Sequence, residues 1–285
     1  VAYESAVGAS LGGARALVTM KHVGLNVAAD PLFSHSYMGV GAGLVVVSAD
    51  DPGMHSSQNE QDNRWLAKAA KIPMLEPSTA AEAKEFTRIA FEISEDYDTP
   101  VMLRMTTRVC HAVGEVELVE PRAAEPRPFR RNPGKFVLLP ANARRRHEAV
   151  EERTRELKVD ASCMKHINVV RFRRRDLGII SAGAAWLYAM EAFPEASHLK
   201  LGLTHPLPET MIREFAESVK RLIVIEELDP YLEEQIRAMG ITVEGRDLRP
   251  DTGELNPDLV RAMLEKPPLE PARPALEGVA LPPRP

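Results

Sequence analysis

Cysteine is nearly absent from the sequence, which has two, Cys110 and Cys163, among 285 residues. They do not form a CxxC pair, so the chain by itself predicts no disulfide framework, no zinc site and no iron–sulfur cluster. Sparse cysteine is typical of proteins from a reducing compartment, and we predict a cytoplasmic location.

Long hydrophobic runs and a strong charge of one sign are also missing. No apolar stretch approaches the roughly 18 residues of a membrane helix, and the N-terminal VAYESAVGAS lacks the basic flank of a signal peptide. The formal net charge is −5, and aromatic residues make up 5% of the chain. A net charge this small for 285 residues does not indicate a polyanion as the partner. The HExxH and Walker A patterns are absent as well, which removes the common metalloprotease and nucleotide-loop signatures.

Short apolar runs alternate with helix-like segments through the first part of the chain. LVVVS at 44–48 and VMLRM at 101–105 have the composition of strands that are buried on both faces. Between them, Ser78 or Thr79 is expected to cap a helix that runs to Tyr97. Such alternation predicts an α/β fold with a parallel sheet. We also predict a helix over 22–37 that breaks at Pro31, and a helix over 60–70.

The middle of the chain has a different character. Residues 120–176 are rich in proline and arginine, with a charged helix predicted over 142–158. Alternation resumes with LGIIS, LIVIE and a last predicted strand at 241–244. We therefore predict an α/β domain at 1–119, a basic connector at 120–176, a second α/β domain at 177–250, and a helix and Pro-rich linker at 251–285.

Polar residues cluster after two predicted strands of the first domain. ADDPGMHSSQNEQDN at 49–63 follows the LVVVS strand, and TMKHVGLN at 19–26 follows the strand before it. In parallel sheets ligands bind beyond the carboxyl ends of the strands, so the two clusters are expected to meet there. Each cluster alone is more typical of a solvated turn. Together they favour a binding site.

Several long strings resemble the large subunit of indolepyruvate:ferredoxin oxidoreductase. They include GARALVTMKHVGLNVAADPL at 13–32 and VSADDPGMHSSQNEQDNR at 47–64. Shorter strings extend the resemblance: KIPMLEPS, VMLRMTTRV, PANARRRH, LKLGLTHPLPETMIREFA and VIEELDPYLEEQI. The matches run through most of the chain.

This resemblance implies a thiamine-diphosphate enzyme that converts arylpyruvates to aryl-acetyl-CoA and reduces ferredoxin. It implies a pyrimidine-binding domain, then a transketolase-C-terminal-like domain. Thiamine diphosphate, Mg²⁺ and [4Fe-4S] clusters are expected in the complete enzyme, with none fully bound and no metal ligated by this chain. The implied partners are the small (beta) subunit, ferredoxin, coenzyme A and the arylpyruvate. The enzyme is expected to be an oligomer that binds neither nucleic acid nor a membrane.

The resemblance also places the family's cofactor-activating glutamate just upstream of Val1, and Glu4 is out of register for that role. We therefore expect the chain to be an internal fragment that is inactive alone. Matching the pyrimidine-domain layout assigns one group of residues to the substrate or intermediate: Lys21, His22 and His55. A second group is assigned to cofactor contacts: Met20, Asn26, Ser56, Gln58 and Asn59.

Two other interpretations remain open. A non-catalytic α/β module for dimerisation or scaffolding would have the same alternation, but it has no need for two polar clusters at one sheet edge. The basic connector could bind nucleic acid through its charge, although it lacks interleaved aromatics and a reading motif. A solvated or subunit-facing connector is the favoured alternative.

Overall fold

Two β-sheets with helices packed against them form the fold. The structure, a computed structural model, describes residues 1–120 and 126–269. The predicted Pro-rich linker falls outside the described residues from residue 270 onward. None of the helices within the described residues is long and apolar enough to cross a membrane.

The first sheet has five strands in the order β1-β2-β4-β3-β8. Strands β1, β2, β4 and β3 are parallel, and β3 pairs with β8 in the antiparallel direction. Strand β2 is the central apolar strand that the LVVVS run predicted, with its first five residues all buried. The bounds of these strands are Ala16–Lys21 (β1), Leu44–Asp50 (β2), Met74–Leu75 (β3), Val101–Thr106 (β4) and Leu203–His205 (β8).

The second sheet has four strands in the order β5-β7-β6-β9. Strand β6 is parallel to both β7 and β9, whereas β5 runs antiparallel to β7. The α/β class is confirmed, but both sheets are mixed where purely parallel sheets were predicted. In each case the antiparallel strand lies at an edge. The strand bounds are Val169–Arg171 (β5), Arg174–Ala182 (β6), Ala196–Leu201 (β7) and Arg221–Ile225 (β9).

A chain crossing ties the two sheets together. Residues after β7 return to the first sheet, where β8 pairs with β3 and Gly202 O accepts a hydrogen bond from Glu76 N. One hydrophobic cluster also contains Met102 of the first sheet and Leu201 of the second. The sequence gives no sign of this crossing, because three residues are too few for a recognisable strand pattern.

The helices agree with the predicted pattern, with changed boundaries. The helix predicted over 22–37 is interrupted at Ala28, before Pro31, and proline is tolerated in the first turn of the helix that follows. The helix predicted from residue 60 begins at Arg64, since residues 60–63 belong to the polar loop. Residues 241–244 form one isolated bridge to β9 instead of a strand.

Thr79, not Ser78, caps the long helix after β3. Its side chain accepts a hydrogen bond from Glu82 N at 3.1 Å, and Glu82 in turn accepts one from Ser78 N. The helices of the first half are Ala2–Leu11 (α1), His22–Val27 (α2), Ala29–Met38 (α3), Arg64–Ala70 (α4), Ala80–Asp96 (α5) and Thr107–Cys110 (α6).

The predicted charged helix of the basic stretch spans Pro140–Ala161 and has a buried face. It packs against α3, and its buried residues include Val150, Arg153 and Leu157. The helix is thus amphipathic, not solvated on all sides. The remaining helices are Pro133–Phe136 (α7), Pro140–Ala161 (α8), Gly183–Ala192 (α9), Glu209–Glu217 (α10), Tyr231–Ala238 (α11) and Pro257–Ala262 (α12).

Candidate functional site

The carboxyl ends of β1, β2 and β4 lie side by side at one edge of the first sheet. Lys21 at the end of β1 is in register with Ala49 of β2, and Asp50 at the end of β2 is in register with Thr106 of β4. The loops that follow these strands therefore start from adjacent positions. This is the edge at which parallel sheets bind their ligands.

The two polar clusters predicted from the sequence are in direct contact there. Nζ of Lys21 donates hydrogen bonds to the carbonyl oxygen of Ser56 at 2.6 Å and to its Oγ at 2.9 Å. Nε2 of His22 lies 3.2 Å from both the carbonyl oxygen and Oδ1 of Asn59. The predicted juxtaposition of the clusters is confirmed.

The other predicted cofactor residues have different surroundings. Asn26 exchanges hydrogen bonds with Gln61 at 2.9 and 2.6 Å, a partner that sequence reasoning did not single out. Met20 is half-buried and packs over Gly24. Gln58 is exposed. Asn26 thus ties α2 to the loop after β2, Met20 packs against α2, and Gln58 lies exposed on that loop.

Asp51 holds the loop of residues 51–57 in shape. Its carboxylate accepts hydrogen bonds from His55 N, Ser56 N, Ser57 Oγ and Thr107 Oγ1, at 2.5 to 3.2 Å. Burial by itself raises the pKa of Asp51, but these hydrogen bonds outweigh burial and hold the pKa below its usual range. Its Oδ2 also lies 3.5 Å from Nζ of Lys21. Asp51 is therefore an ionised organiser of the loop.

His55 contacts a later part of the chain. Its Nε2 lies 3.0 Å from Oε2 of Glu254, which also accepts a hydrogen bond from Arg108 Nε at 2.8 Å. The structure therefore brings Lys21 and His22 together with Ser56 and Asn59, whereas His55 pairs with Glu254 in a second cluster.

A buried ion-pair network lies beneath the two loops. Arg104 of β4 pairs with Asp50 at 2.8 Å and with Glu76. Arg64 at the start of α4 pairs with Asp62 and Glu226, both at 2.6 Å. All of these side chains are almost completely buried, so each charge depends on its partners.

The pKa values in this network shift in opposite directions. Burial raises the pKa of Asp50 and Glu226, even though arginines lie beside both carboxyls. Asp62 is also desolvated, but Arg64 and Arg104 outweigh burial and lower its pKa. Burial raises the pKa of the neighbouring Glu227 to about 6. The network thus contains carboxyls that hold protons more tightly than they would in water.

Sequence reasoning did not identify this network. One signal was available, because Arg104 interrupts the apolar strand VMLRM, and a charge in a buried strand requires a partner. The partners come from distant parts of the chain. Glu226 follows β9 of the second sheet, and Gly183, which follows β6, lies close to Glu76. The carboxyl ends of both sheets therefore converge on the network.

Some buried polar atoms at this edge have no hydrogen-bond partner among the described residues. They include Nδ1 of His22, Oγ1 of Thr106 and Nη2 of Arg104. An aminopyrimidine offers both donors and acceptors, so this part of the edge fits the ring end of thiamine. The described residues contain no group of three His, Cys, Asp or Glu placed to hold a metal ion.

Comparison with known proteins places this site in a family. The family model described as "Pyruvate flavodoxin/ferredoxin oxidoreductase, thiamine diP-bdg" matches residues 1–157. That range contains both polar loops and the first four strands of the first sheet. The chain belongs to this family of thiamine-diphosphate-binding oxidoreductase domains.

Within this family, the resemblance to the indolepyruvate oxidoreductase large subunit is confirmed. Subunit IorA of indolepyruvate oxidoreductase from Archaeoglobus fulgidus is 46% identical over 247 residues, 85% of this chain and 40% of the relative. The IorA subunit from Methanothermobacter thermautotrophicus is 43% identical over 277 residues, 92% of this chain and 44% of the relative. The chain thus spans less than half the length of these curated relatives.

A solved structure shares the fold. The 2-oxoglutarate:ferredoxin oxidoreductase from Magnetococcus marinus, with 2-oxoglutarate, coenzyme A and succinyl-CoA bound, superposes with a TM-score of 0.69. The match covers 92% of this chain and 55% of that chain, at 18% sequence identity. At this identity the likeness establishes the fold, and the site has to be argued from the residues themselves.

Proposed function

We propose that this chain supplies part of the thiamine-diphosphate site of a 2-oxoacid:ferredoxin oxidoreductase that acts on arylpyruvates such as indolepyruvate. The single observation that carries the proposal is the contact of Lys21 with Ser56 at the carboxyl edge of the first sheet. It joins the two polar loops within the range matched by the thiamine-diphosphate-binding family. A scaffold module would not require a lysine and a histidine to meet a polar loop at that edge.

In the proposed reaction the arylpyruvate loses its carboxylate as CO₂. Two electrons pass singly to two ferredoxins, and the aryl-acetyl group is transferred to the sulfur of coenzyme A, which releases a proton. Bound thiamine diphosphate supplies the nucleophile and electron sink for the decarboxylation. Lys21 provides a positive charge near the substrate, and His22 can exchange a proton through its unpartnered Nδ1. Met20, Asn26, Ser56, Gln58 and Asn59 remain the proposed cofactor-side residues.

The domain assignment is part of the proposal. Residues 1–119 act as the pyrimidine-binding-type domain, 120–176 as the connector, and 177–250 as the transketolase-C-terminal-like domain. Residues 251–285 lead on toward a diphosphate-binding domain. The buried network supports this arrangement, because it brings the carboxyl edges of both sheets to one place.

The complete enzyme brings further components. We propose that Mg²⁺ and the [4Fe-4S] clusters are held outside this chain, that a small (beta) subunit is the partner, and that the enzyme is a cytoplasmic oligomer. This chain by itself is proposed to be inactive. Calorimetric titration of the isolated chain with thiamine diphosphate and Mg²⁺ is expected to show no tight binding, and tight binding would contradict this point.

The test of the function uses the complete enzyme. Ferredoxin reduction is measured with indolepyruvate, coenzyme A and thiamine diphosphate, in the wild type and in Lys21→Met. Loss of a charged group that binds substrate is expected to lower kcat/KM roughly 10- to 100-fold. The matched control is Lys158→Met, which removes an exposed lysine of helix α8 that pairs with Glu209. A wild-type enzyme that oxidises no arylpyruvate would overturn the proposed function.

A further inference from the structure

The carboxylate of Glu254 contacts two side chains at the edge of the first sheet, the guanidinium of Arg108 and the imidazole of His55. Arg108 approaches it with two nitrogens: Nε donates to Oε2 at 2.8 Å, and Nη2 donates to Oε1. Nε2 of His55 lies 3.0 Å from Oε2. A guanidinium fork with an imidazole beside it is a constellation that recognises carboxylates.

Arg108 and His55 come from two adjacent strands. Arg108 lies in α6, directly after β4, and His55 lies in the loop after β2, where Asp50 is in register with Thr106. The fork therefore stands on the same edge as the contact between Lys21 and Ser56. The fork and the proposed cofactor residues thus follow strands that end at the same edge of the sheet.

The backbone beside Glu254 is anchored in the core. The next residue, Leu255, is buried in the hydrophobic core, and its N–H donates to Glu227 at 3.3 Å. The side chains of Arg108 and His55 are 50% and 43% exposed, so another carboxylate can reach them from solvent. Ion pairs at such exposed positions contribute little to stability, so a competing carboxylate has little binding energy to overcome.

We propose that Arg108 and His55 bind the carboxylate of the 2-oxoacid substrate and that the Glu254 carboxylate competes for the same position. The inference rests on the proposed function, and it adds a substrate-binding arginine and an internal competitor. Arg108 fixes the acid end of the substrate, so that the 2-oxo carbon and the side chain of the acid extend away from it. Recognition of the carboxylate is then independent of the aryl group.

The test measures KM for indolepyruvate in the complete enzyme, together with the inhibition constant of indole-3-acetaldehyde, which lacks the carboxylate. Arg108→Gln is expected to raise KM roughly 10- to 100-fold and to leave inhibition by the aldehyde unchanged. Arg108→Lys, which keeps the charge but loses the fork, is expected to be intermediate. Glu254→Gln is expected to lower KM, because it removes the competing charge.

The matched control is Arg15→Gln. Arg15 also forms a two-nitrogen contact with a glutamate, Glu95, at 2.9 and 3.0 Å, but it precedes β1 at the opposite edge of the sheet. The inference is overturned if Arg108→Gln changes KM no more than Arg15→Gln does. It is also overturned if aldehyde inhibition weakens in parallel with KM, or if Glu254→Gln raises KM as Arg108→Gln does.

These outcomes separate the inference from the proposed function. If the wild-type enzyme oxidises a different 2-oxoacid, the arylpyruvate assignment fails, and the same variants measured with that acid still decide the carboxylate site. If the wild type oxidises arylpyruvates and the Arg108 variants match it, the function stands and the carboxylate site fails. An enzyme that oxidises no 2-oxoacid overturns both.

Discussion

Nη1 of Arg64 lies 2.6 Å from Oε2 of Glu226, and this buried ion pair joins the polar loop of the first sheet to the end of β9 in the second. The same guanidinium donates to the carbonyl oxygens of Glu227 and Asp229 at 2.7 and 2.9 Å. One side chain thus connects the carboxyl edges of both sheets. The geometry of the candidate site depends on this connection.

Replacing Arg64 should be strongly destabilising. Arg64→Met leaves the carboxylates of Asp62 and Glu226 buried without their cation, which typically costs about 3–5 kcal/mol. Urea denaturation of the isolated chain measures the loss. The control is Arg88→Met, which removes an exposed arginine paired with Glu85 and Glu92 and should cost no more than about 1 kcal/mol. Equal losses in the two variants would show that the network does not hold the sheets together.

The loop of residues 51–57 should loosen when Asp51 loses its charge. Asp51→Asn weakens the hydrogen bonds that the side chain accepts from His55 N and Ser56 N. The free energy of local opening should fall by about 1–3 kcal/mol, and amide hydrogen exchange at these two positions should therefore become faster. Exchange in β2 should change little. Unchanged exchange at both amides would remove Asp51 from the role of organiser.

The same carboxylate sets a direction for pH dependence. Because the folded-state pKa of Asp51 is lowered, its stabilising effect is present above the unfolded value of about 3.9 and is lost as pH falls below it. The wild type should therefore lose loop protection on acidification below about pH 4, whereas Asp51→Asn should lack this component. Parallel pH profiles for the two proteins would contradict the assignment.

Ionisation of Glu227 should lower the stability of the fold, whereas ionisation of Asp51 raises it. Burial raises its pKa to about 6, so the folded state holds the proton more tightly than the unfolded chain, where the pKa is about 4.3. Stability is therefore lost as pH rises from about 4 to 6. Glu227→Gln cannot ionise and keeps an acceptor for Leu255 N. The variant should exceed the wild type by about 2 kcal/mol at pH 7 and match it near pH 4.

Denaturation midpoints at the two pH values check this prediction. Asp62→Asn is an informative comparison, because Arg64 and Arg104 lower the pKa of Asp62 and its neutralisation should therefore destabilise the fold at pH 7. A Glu227→Gln protein that is less stable than the wild type at pH 7 would show that the ionised form of Glu227 is the one the fold requires.

The sequence was sufficient to predict the elements that depend on local pattern. The apolar run at 44–48 predicted β2, and polar residues after two successive strands predicted that the clusters at 19–26 and 49–63 would meet, as Lys21 and Ser56 do. Both follow from rules about neighbouring residues and strand ends. The contact of His55 with Glu254 could not be predicted, because the two residues are 199 positions apart in the chain.

Long-range pairing also explains the other differences. Strand β8 is three residues long, and it exists because the edge of β3 offers it hydrogen bonds. Arg104 indicated that a buried partner must exist, but the pattern of the strand could not say whether Asp50, Glu76 or another acid provides it. Ion pairs between distant segments are set by the tertiary fold, which no local pattern encodes.

Arg153 provides a test of whether helix α8 belongs to the fold or is a detachable basic arm. Its guanidinium is buried and donates to the carbonyl oxygens of Ser36 at 2.6 Å and Asp98 at 2.8 Å. Arg153→Met leaves these two acceptors without their donor, so we expect a loss of about 2–4 kcal/mol in the free energy of unfolding.

Arg155→Met is the control for this prediction. Arg155 lies two residues further along the same helix, is 70% exposed and pairs only with Glu152 among the described residues. Its replacement should cost at most about 1 kcal/mol, although both variants remove one positive charge from the connector.

If the two variants unfold at the same urea concentration, helix α8 contributes charge and not packing, and the connector would be an arm. A large difference makes residues 140–161 an integral part of the domain that carries the candidate site, because Ser36 and Asp98 both belong to that domain.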